Sequence, residues 1–264
     1  MGLFLQAVVV GGEITPAVET AAELVATVVE AALEVVATAV GTVLGPLQRP
    51  CRWLRGVAVR LLFERRYGVR TSDTVSLARL GLAGEERVDY VAASWRLLRR
   101  TLPRRAVGES DVFIDLGSGM GRMVLEAAWR YPFKKVIGVE LSGELNDIAR
   151  QNIVGTRLRL RCENVELVQS DVLDYEIPED VSVVFLNNPF RGETFATVIT
   201  RLLATVDRNP RPVTVIYLNP TEEDLLLSTG RFHHVRTLKA KRKARPDSPF
   251  DWIRIYTVSE RAGA

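Results

Sequence analysis

The sequence predicts an α/β protein, a doubly wound, mostly parallel seven-stranded sheet with a C-terminal antiparallel hairpin, preceded by N-terminal helices. Three observations predict it. From Asp111 onward, short apolar runs alternate with segments of helical length. The runs are apolar at consecutive positions, as strands buried on both faces of a parallel sheet are. The last two runs are separated only by the charged loop Lys239–Pro249, which suits a hairpin rather than a helical crossover.

In chain order, residues 16–44 are almost entirely Ala, Val, Leu, Thr and Glu. At about 100° per residue, Glu19, Glu23, Glu30 and Glu34 fall at about 0°, 40°, 20° and 60°, one stripe opposite an apolar face. This predicts an amphipathic helix ending near Gly41 or Gly45-Pro46. Its apolar face would pack on the body or on the same helix of a second subunit, giving a homo-oligomer, or would serve as a lid or partner-binding arm. Residues 49–70 turn basic, with seven arginines and with Trp53, Phe63 and Tyr67 interleaved. That pattern suits a solvated helix face with inward aromatics, or a helix facing nucleic acid. A helix carrying Trp95 is expected over Asp89–Leu102, before Pro103. Strands are expected at Val112–Leu116, Lys135–Glu140, Val165–Val168, Val181–Leu186, Val213–Leu218, His234–Leu238 and Trp252–Val258. The first is followed by a helix to about Tyr131 and the second by a helix to about Leu160. The expected organisation is an acidic helical extension over 1–48, a helical approach and cover region over 49–108, and the main domain over 109–264.

The charge of the 264-residue chain is divided along its length. Overall, 35 Lys+Arg stand against 32 Asp+Glu, a net +3. Residues 1–48 hold five glutamates and no Lys or Arg, so the remainder carries 35 basic against 27 acidic residues, or +8. A hydrophobic fraction of 47% and a charged fraction of 25% are those of a globular chain and exclude a collagen, a mostly disordered protein or a disulfide scaffold. Cys51 and Cys162, the two cysteines, suit a reducing compartment. The apolar first ten residues have no basic residue ahead of them, and Gln6 breaks the acylation pattern after Gly2. The uncharged stretch Val35–Gln48 has 14 residues where a spanning helix needs roughly 20. A cytoplasmic protein without a transmembrane segment is expected.

The chemistry concentrates where the first strand ends. Asp115 leads into Leu116-Gly117-Ser118-Gly119-Met120-Gly121-Arg122 and then a helix. The third glycine comes four places after the first, where a nicotinamide-binding loop has five. Glu140 ends the second strand, 25 residues after Asp115, and Asp171 follows the third. Three acids at the carboxyl ends of successive strands lie in the crevice where open α/β sheets bind ligands. The fourth strand runs into Asn187-Asn188-Pro189-Phe190, which on its own also suits a turn.

The Asp-x-Gly-x-Gly-x-Gly pattern resembles the first motif of class I, Rossmann-like S-adenosylmethionine-dependent methyltransferases. The resemblance spans about residues 60–258 and is most specific at Asp115–Arg122, Glu140 and Asp171. It implies S-adenosylmethionine as cofactor, S-adenosylhomocysteine as product, and a cofactor-binding set. In that set Asp115, Gly117, Ser118, Gly119, Gly121 and Arg122 form the loop, where a glycine turn admits the cofactor's amino-acid portion. Glu140, with Leu141, takes the ribose hydroxyls, and Asp171, with Val172, takes the adenine amine. Tyr90 and Ser94 are similar to a Tyr-x-Pro-Ser/Thr element placed over the cofactor's carboxylate, with alanine for the proline, and Tyr67–Thr71 is a further piece of cover or a helix end.

On the acceptor side, Asn187, Asn188, Pro189 and Phe190 resemble the Asn/Asp-Pro-Pro-Tyr/Phe signature of enzymes that methylate planar or amide-type nitrogen. They also resemble the Asn-Pro-Phe of a bacterial set related to the non-SET histone-lysine methyltransferase. Asn188 stands where the first proline would, which leaves open whether Asn187 or Asn188 presents its amide to the substrate. No Cys/His cluster has metal-ligand spacing, so no metal is expected. His233 and His234, at the start of the late hairpin strand, are expected to be structural. These points favour N-methylation of a protein lysine or an amine-bearing small molecule. The alternatives are a nucleic-acid methyltransferase using Arg49–Arg70 and Lys239–Arg245, a His-assisted O-methyltransferase of a small metabolite, and a cofactor-binding scaffold without activity.

Overall fold

The computed structural model describes residues 64–240 and 248–259. The expected helix within 16–44, most of the basic stretch 49–70 and most of the Lys239–Pro249 loop lie outside the described residues. Seven strands form one sheet in the order β3-β2-β1-β4-β5-β7-β6. They are β1 (Val112–Leu116), β2 (Lys135–Glu140), β3 (Val165–Gln169), β4 (Val181–Asn187), β5 (Val213–Leu218), β6 (Phe232–Lys239) and β7 (Trp252–Val258). The first five run parallel, and β7 is antiparallel to both β5 and β6. This is the predicted α/β class, with its C-terminal antiparallel pair.

Strand β1 is buried along its whole length because it lies between β2 and β4 and is covered on both faces. Alternate side chains of a strand point to opposite faces. Val112, Ile114 and Leu116 therefore join a core with Phe195, Val198, Ile199, Leu202 and Val206 of helix Gly192–Arg208. Phe113 faces the other way and packs with Met123, Val124, Ala127 and Ala128 of helix Arg122–Arg130. After the single helical turn Arg65–Tyr67, the helices in chain order are α1 (Leu97–Thr101), α2 (Arg122–Arg130), α3 (Gly143–Gly155), α4 (Gly192–Arg208) and α5 (Glu223–Ser228). Among the described residues, no helix is long and apolar enough to cross a membrane.

The helix expected over Asp89–Leu102 is confined to α1. The peptide groups ahead of it are engaged with distant partners. Tyr90 exchanges both backbone hydrogen bonds with Val75, at 2.9 and 3.1 Å. The Val91 carbonyl accepts from the Asn187 side chain, and the Ala93 carbonyl accepts from Arg122. Those carbonyls are not available to an i→i+4 ladder, so residues 89–96 stay extended or irregular. Helix α3 likewise stops at Gly155, short of Leu160, where the Arg157 amide donates to Tyr67 O at 2.8 Å.

All nine residues of α2 are buried, its charged ones included. Arg122, Glu126 and Arg130 are spaced four apart and so share one helix face. Arg130 Nε donates to Glu126 Oε1 at 3.0 Å, and its guanidinium lies 4.1 Å from the centre of the Trp129 ring. Burial pushes the Glu126 carboxyl up to about 8, opposed by Arg130 and by backbone hydrogen bonds from Leu98 and Arg99 of α1. A carboxyl raised on folding holds its proton more tightly in the folded state, so its contribution to stability is complete below the ordinary value of 4.5 and is lost as pH rises through about 8. Melting temperatures of the protein are therefore expected to fall between about pH 5 and about pH 9. Glu126→Gln should flatten that fall and raise the melting temperature most at the alkaline end, as read by scanning calorimetry across the series.

Candidate active site

A cavity opens at the carboxyl ends of β1, β2 and β4, beside the loop that follows β3. Its roof is the extended segment Arg87–Ala93. The sheet forms this crevice because the connections on either side of β1 leave toward opposite faces, α3 returning to β3 and α4 to β5.

The floor is the turn after β1. The amides of Gly117 and Ser118 both donate to the Val139 carbonyl, at 2.9 and 3.0 Å, which curls the chain back against β2. Gly117 and Gly119 have φ of 82° and 55°, backbone that glycine adopts without strain. Space demands glycine there as well. A Cβ on Gly117 would stand 2.5 Å from Pro189 Cβ, and one on Gly119 would stand 2.1 Å from the ring carbons of Tyr90. Gly121 begins the turn into α2.

Two carboxyls rise from this floor. Glu140 accepts the Gly119 amide on Oε2 at 2.7 Å and the Ser142 amide on Oε1 at 2.9 Å, so its plane is fixed by the loop it serves. Burial raises its pKa, and these amides oppose the rise. Asp115 is buried, and desolvation holds its carboxyl well above the usual range, with the neighbouring Glu140 charge adding to the effect. Close by, Ser118 Oγ is buried without a hydrogen bond. Two desolvated carboxyls and an unsatisfied hydroxyl suit a ligand that brings positive charge and hydroxyl donors. An S-adenosylmethionine molecule has both, and Asp115, Ser118 and Glu140 are the residues that would hold its amino-acid and ribose portions.

The third acid is already engaged. Asp171 Oδ2 accepts from Arg87 Nη2 at 3.0 Å, and Oδ1 accepts the Leu173 amide at 3.0 Å. Val172 and Leu141 line the same wall. Arg87 also lines the cavity, and sequence reading missed it, since one arginine after Glu85-Glu86 carries no local signal. Its position comes from a long-range bridge to Phe190 and from Glu86, whose carboxylate accepts the Glu193 and Thr194 amides at the start of α4, each at 2.9 Å.

Tyr90 lies across Gly119, and its hydroxyl donates to Thr71 O at 2.9 Å. Arg122 lines the cavity and also braces this roof, donating to Thr71 Oγ1 at 2.9 Å, Ser72 Oγ at 2.8 Å and Ala93 O at 2.6 Å. Thr71 thus belongs to the cover. Ser94, like Gly121 and like Gly119 beneath Tyr90, is not among the residues lining the cavity, and its carbonyl accepts the Leu97 amide where α1 begins.

Asn187, Asn188, Pro189 and Phe190 all line the cavity, opposite the carboxyls. The two asparagines differ. Asn188 is buried, and its Oδ1 accepts from Thr221 Oγ1. Asn187 is half-buried, with Nδ2 donating to Val91 O at 2.9 Å. Phe190 packs edge-tilted against Phe195, 6.1 Å between ring centres. Among the described residues the cavity lining contains no His, Lys or Cys, and His233 and His234 are exposed on the edge strand β6. Among the described residues no cluster of His, Cys, Asp and Glu could hold a metal ion.

Comparison with known proteins agrees with this geometry. The family model described as Histone methylation protein DOT1 matches residues 87–246. A histone-lysine N-methyltransferase, H3 lysine-79 specific, from Drosophila melanogaster is 33% identical over 114 residues, 40% of this chain and 6% of that protein. A protein-lysine N-methyltransferase from Saccharolobus islandicus is 38% identical over 66 residues, 25% of this chain and 41% of that one. A probable ribosomal RNA small subunit methyltransferase A from Methanopyrus kandleri is 31% identical over 137 residues, 52% of this chain and 42% of that one. The matched region spans less than half the length of each of these relatives.

Gly119→Ala should weaken binding of S-adenosylhomocysteine by about tenfold or more in calorimetry, because the added methyl displaces either Tyr90 or the loop. Gly108→Ala is the control, since its Cβ would meet only Asp111 Oδ2 at an ordinary 3.8 Å, and should bind as the parent does.

Proposed function

The chain belongs to the family described as Histone methylation protein DOT1, and from that premise we propose that it is an S-adenosylmethionine-dependent methyltransferase acting on nitrogen, on a protein lysine or an amine-bearing small molecule. The observation that carries the proposal is Asn187, a half-buried amide at the carboxyl end of β4 that lines a cavity with no imidazole, ammonium or thiol among its described residues. The names of the Drosophila and Saccharolobus relatives, both lysine N-methyltransferases, support the same reading.

The bound cofactor supplies a methyl group on a positively charged sulfur. The chain's part is to bind, orient and exclude water, which is where most of the rate of an in-line displacement can come from. Asp115 and Glu140 form the carboxyl floor for the cofactor's amino-acid and ribose portions, and Asp171 with Val172 forms the adenine end. Tyr90 and Arg122 close the roof above the glycine loop. The Asn187 amide orients the acceptor nitrogen, and Phe190 offers a ring to a cationic amine or to the sulfonium. An amine in its neutral form already carries the attacking lone pair, whereas a hydroxyl acceptor requires a base to remove its proton during attack. On this reading residues 109–264 are the cofactor domain and the cover comes from the region 49–108.

Tritiated-methyl transfer onto cell extract separated into protein, nucleic acid and small molecules should label the protein or the small-molecule fraction. Label confined to nucleic acid, with steep loss of binding as salt rises, would overturn the proposal. Asn187→Ala should leave S-adenosylhomocysteine affinity within about twofold and lower the transfer rate by roughly ten- to a hundredfold, the loss expected when an acceptor is misplaced.

A further inference from the structure

We propose that Asn219 is a positioning residue that sets the orientation of the Asn187 amide, an inference that rests on the acceptor role assigned to Asn187 above. Asn187 Nδ2 donates to the Val91 carbonyl oxygen at 2.9 Å. A carbonyl can only accept, so this bond decides which end of the amide is nitrogen. Asn187 Oδ1 is thereby turned toward the loop after β5, where Asn219 Nδ2 donates to it at 2.9 Å. With both ends held, one N–H and one lone pair of Oδ1 stay available to a molecule in the cavity.

Asn219 is itself held firmly. Its amide donates to Trp252 O at 3.0 Å, its carbonyl accepts the Thr221 amide at 2.8 Å, and the Glu222 amide donates to the Tyr217 hydroxyl at 3.2 Å. Asn188 and Asn219, with φ of 46° and 55°, are the two non-glycine residues in the left-handed region among those described. Such backbone is unfavourable for most side chains and persists where the surroundings over-determine it. The two lie side by side, because Asn187 of β4 pairs with Leu218 of β5. Each precedes a proline, in Leu186-Asn187-Asn188-Pro189 and Leu218-Asn219-Pro220. The same short loop reaches both asparagines of β4, since Thr221 Oγ1 donates to Asn188 Oδ1.

Glycine and aspartate both tolerate left-handed backbone, so they separate the side chain of Asn219 from its main chain. Asn219→Gly removes the donor and keeps the turn. Asn219→Asp sets a carboxylate against Asn187 Oδ1 and so works against the bond to Val91. The tests are calorimetry with S-adenosylhomocysteine, tritiated-methyl transfer into the extract fraction that takes label, and NMR of side-chain amides on nitrogen-labelled protein. Asn187→Ala identifies the Asn187 signals by their loss.

Both Asn219 variants should bind S-adenosylhomocysteine within about twofold of the parent. Transfer should fall about tenfold in Asn219→Asp and less in Asn219→Gly, and in both the Asn187 signals should shift and exchange faster. A purely backbone role predicts two variants near the parent in every measurement. Unmoved Asn187 signals, or a parental rate in Asn219→Asp, would overturn the inference while an inactive Asn187→Ala leaves the acceptor role standing. A fully active Asn187→Ala removes both.

Discussion

Two missing side chains let the site close. Tyr90 comes over the turn after β1 only because Gly119 has no Cβ, and Pro189 comes against the same turn only because Gly117 has none. The first contact brings in the roof, the second the segment Asn187–Phe190, and the turn between them supplies the amide that orients Glu140. Floor, roof and the Asn187–Phe190 wall of the cavity therefore meet at three consecutive residues, and a methyl group added at either glycine would separate them. Strain alone would not explain glycine so well, since an asparagine tolerates the same backbone at positions 188 and 219. Close approach is the stronger demand.

The roof is secured from below by charge. Arg122, Glu126 and Arg130 form a buried stripe of ionisable groups along α2, which a surface helix would turn to solvent. Arg122 satisfies the carbonyl of Ala93 and the hydroxyls of Thr71 and Ser72, segments with no regular structure of their own. Glu126 meets the start of α1. Irregular chain has backbone groups that must find partners, and here a helix face provides them. The arrangement makes the roof's position depend on the helix that begins at the glycine loop.

Most of the sheet was legible in the sequence because its strands are apolar at consecutive positions and each is bounded by turn residues. That Asp115, Glu140 and Asp171 would line one cavity was legible for the same reason, since they stand at strand ends and strand ends are what periodicity locates. The helix expected over Asp89–Leu102 was misread because nothing local reveals that Tyr90 bonds to Val75, Val91 to Asn187 and Ala93 to Arg122. Arg87 and Asn219 escaped notice on the same grounds. Asn219 did leave one trace, the Asn-Pro after β5 that echoes the Asn-Asn-Pro after β4.

That echo bears on how the two halves of the site are divided. Glu140 is set by the glycine loop, whereas Asn187 is set by the roof at Val91 and by the loop after β5 at Asn219. These supports come from different parts of the chain, so on the proposed reading changes after β5 retune the Asn187 amide without disturbing Glu140. The roof alone serves both, since Val91 holds Asn187 one residue after Tyr90 covers Gly119. A shift of that segment would move the Asn187 amide and uncover Gly119 together, which on the proposed reading ties readiness for the acceptor to closure over the cofactor.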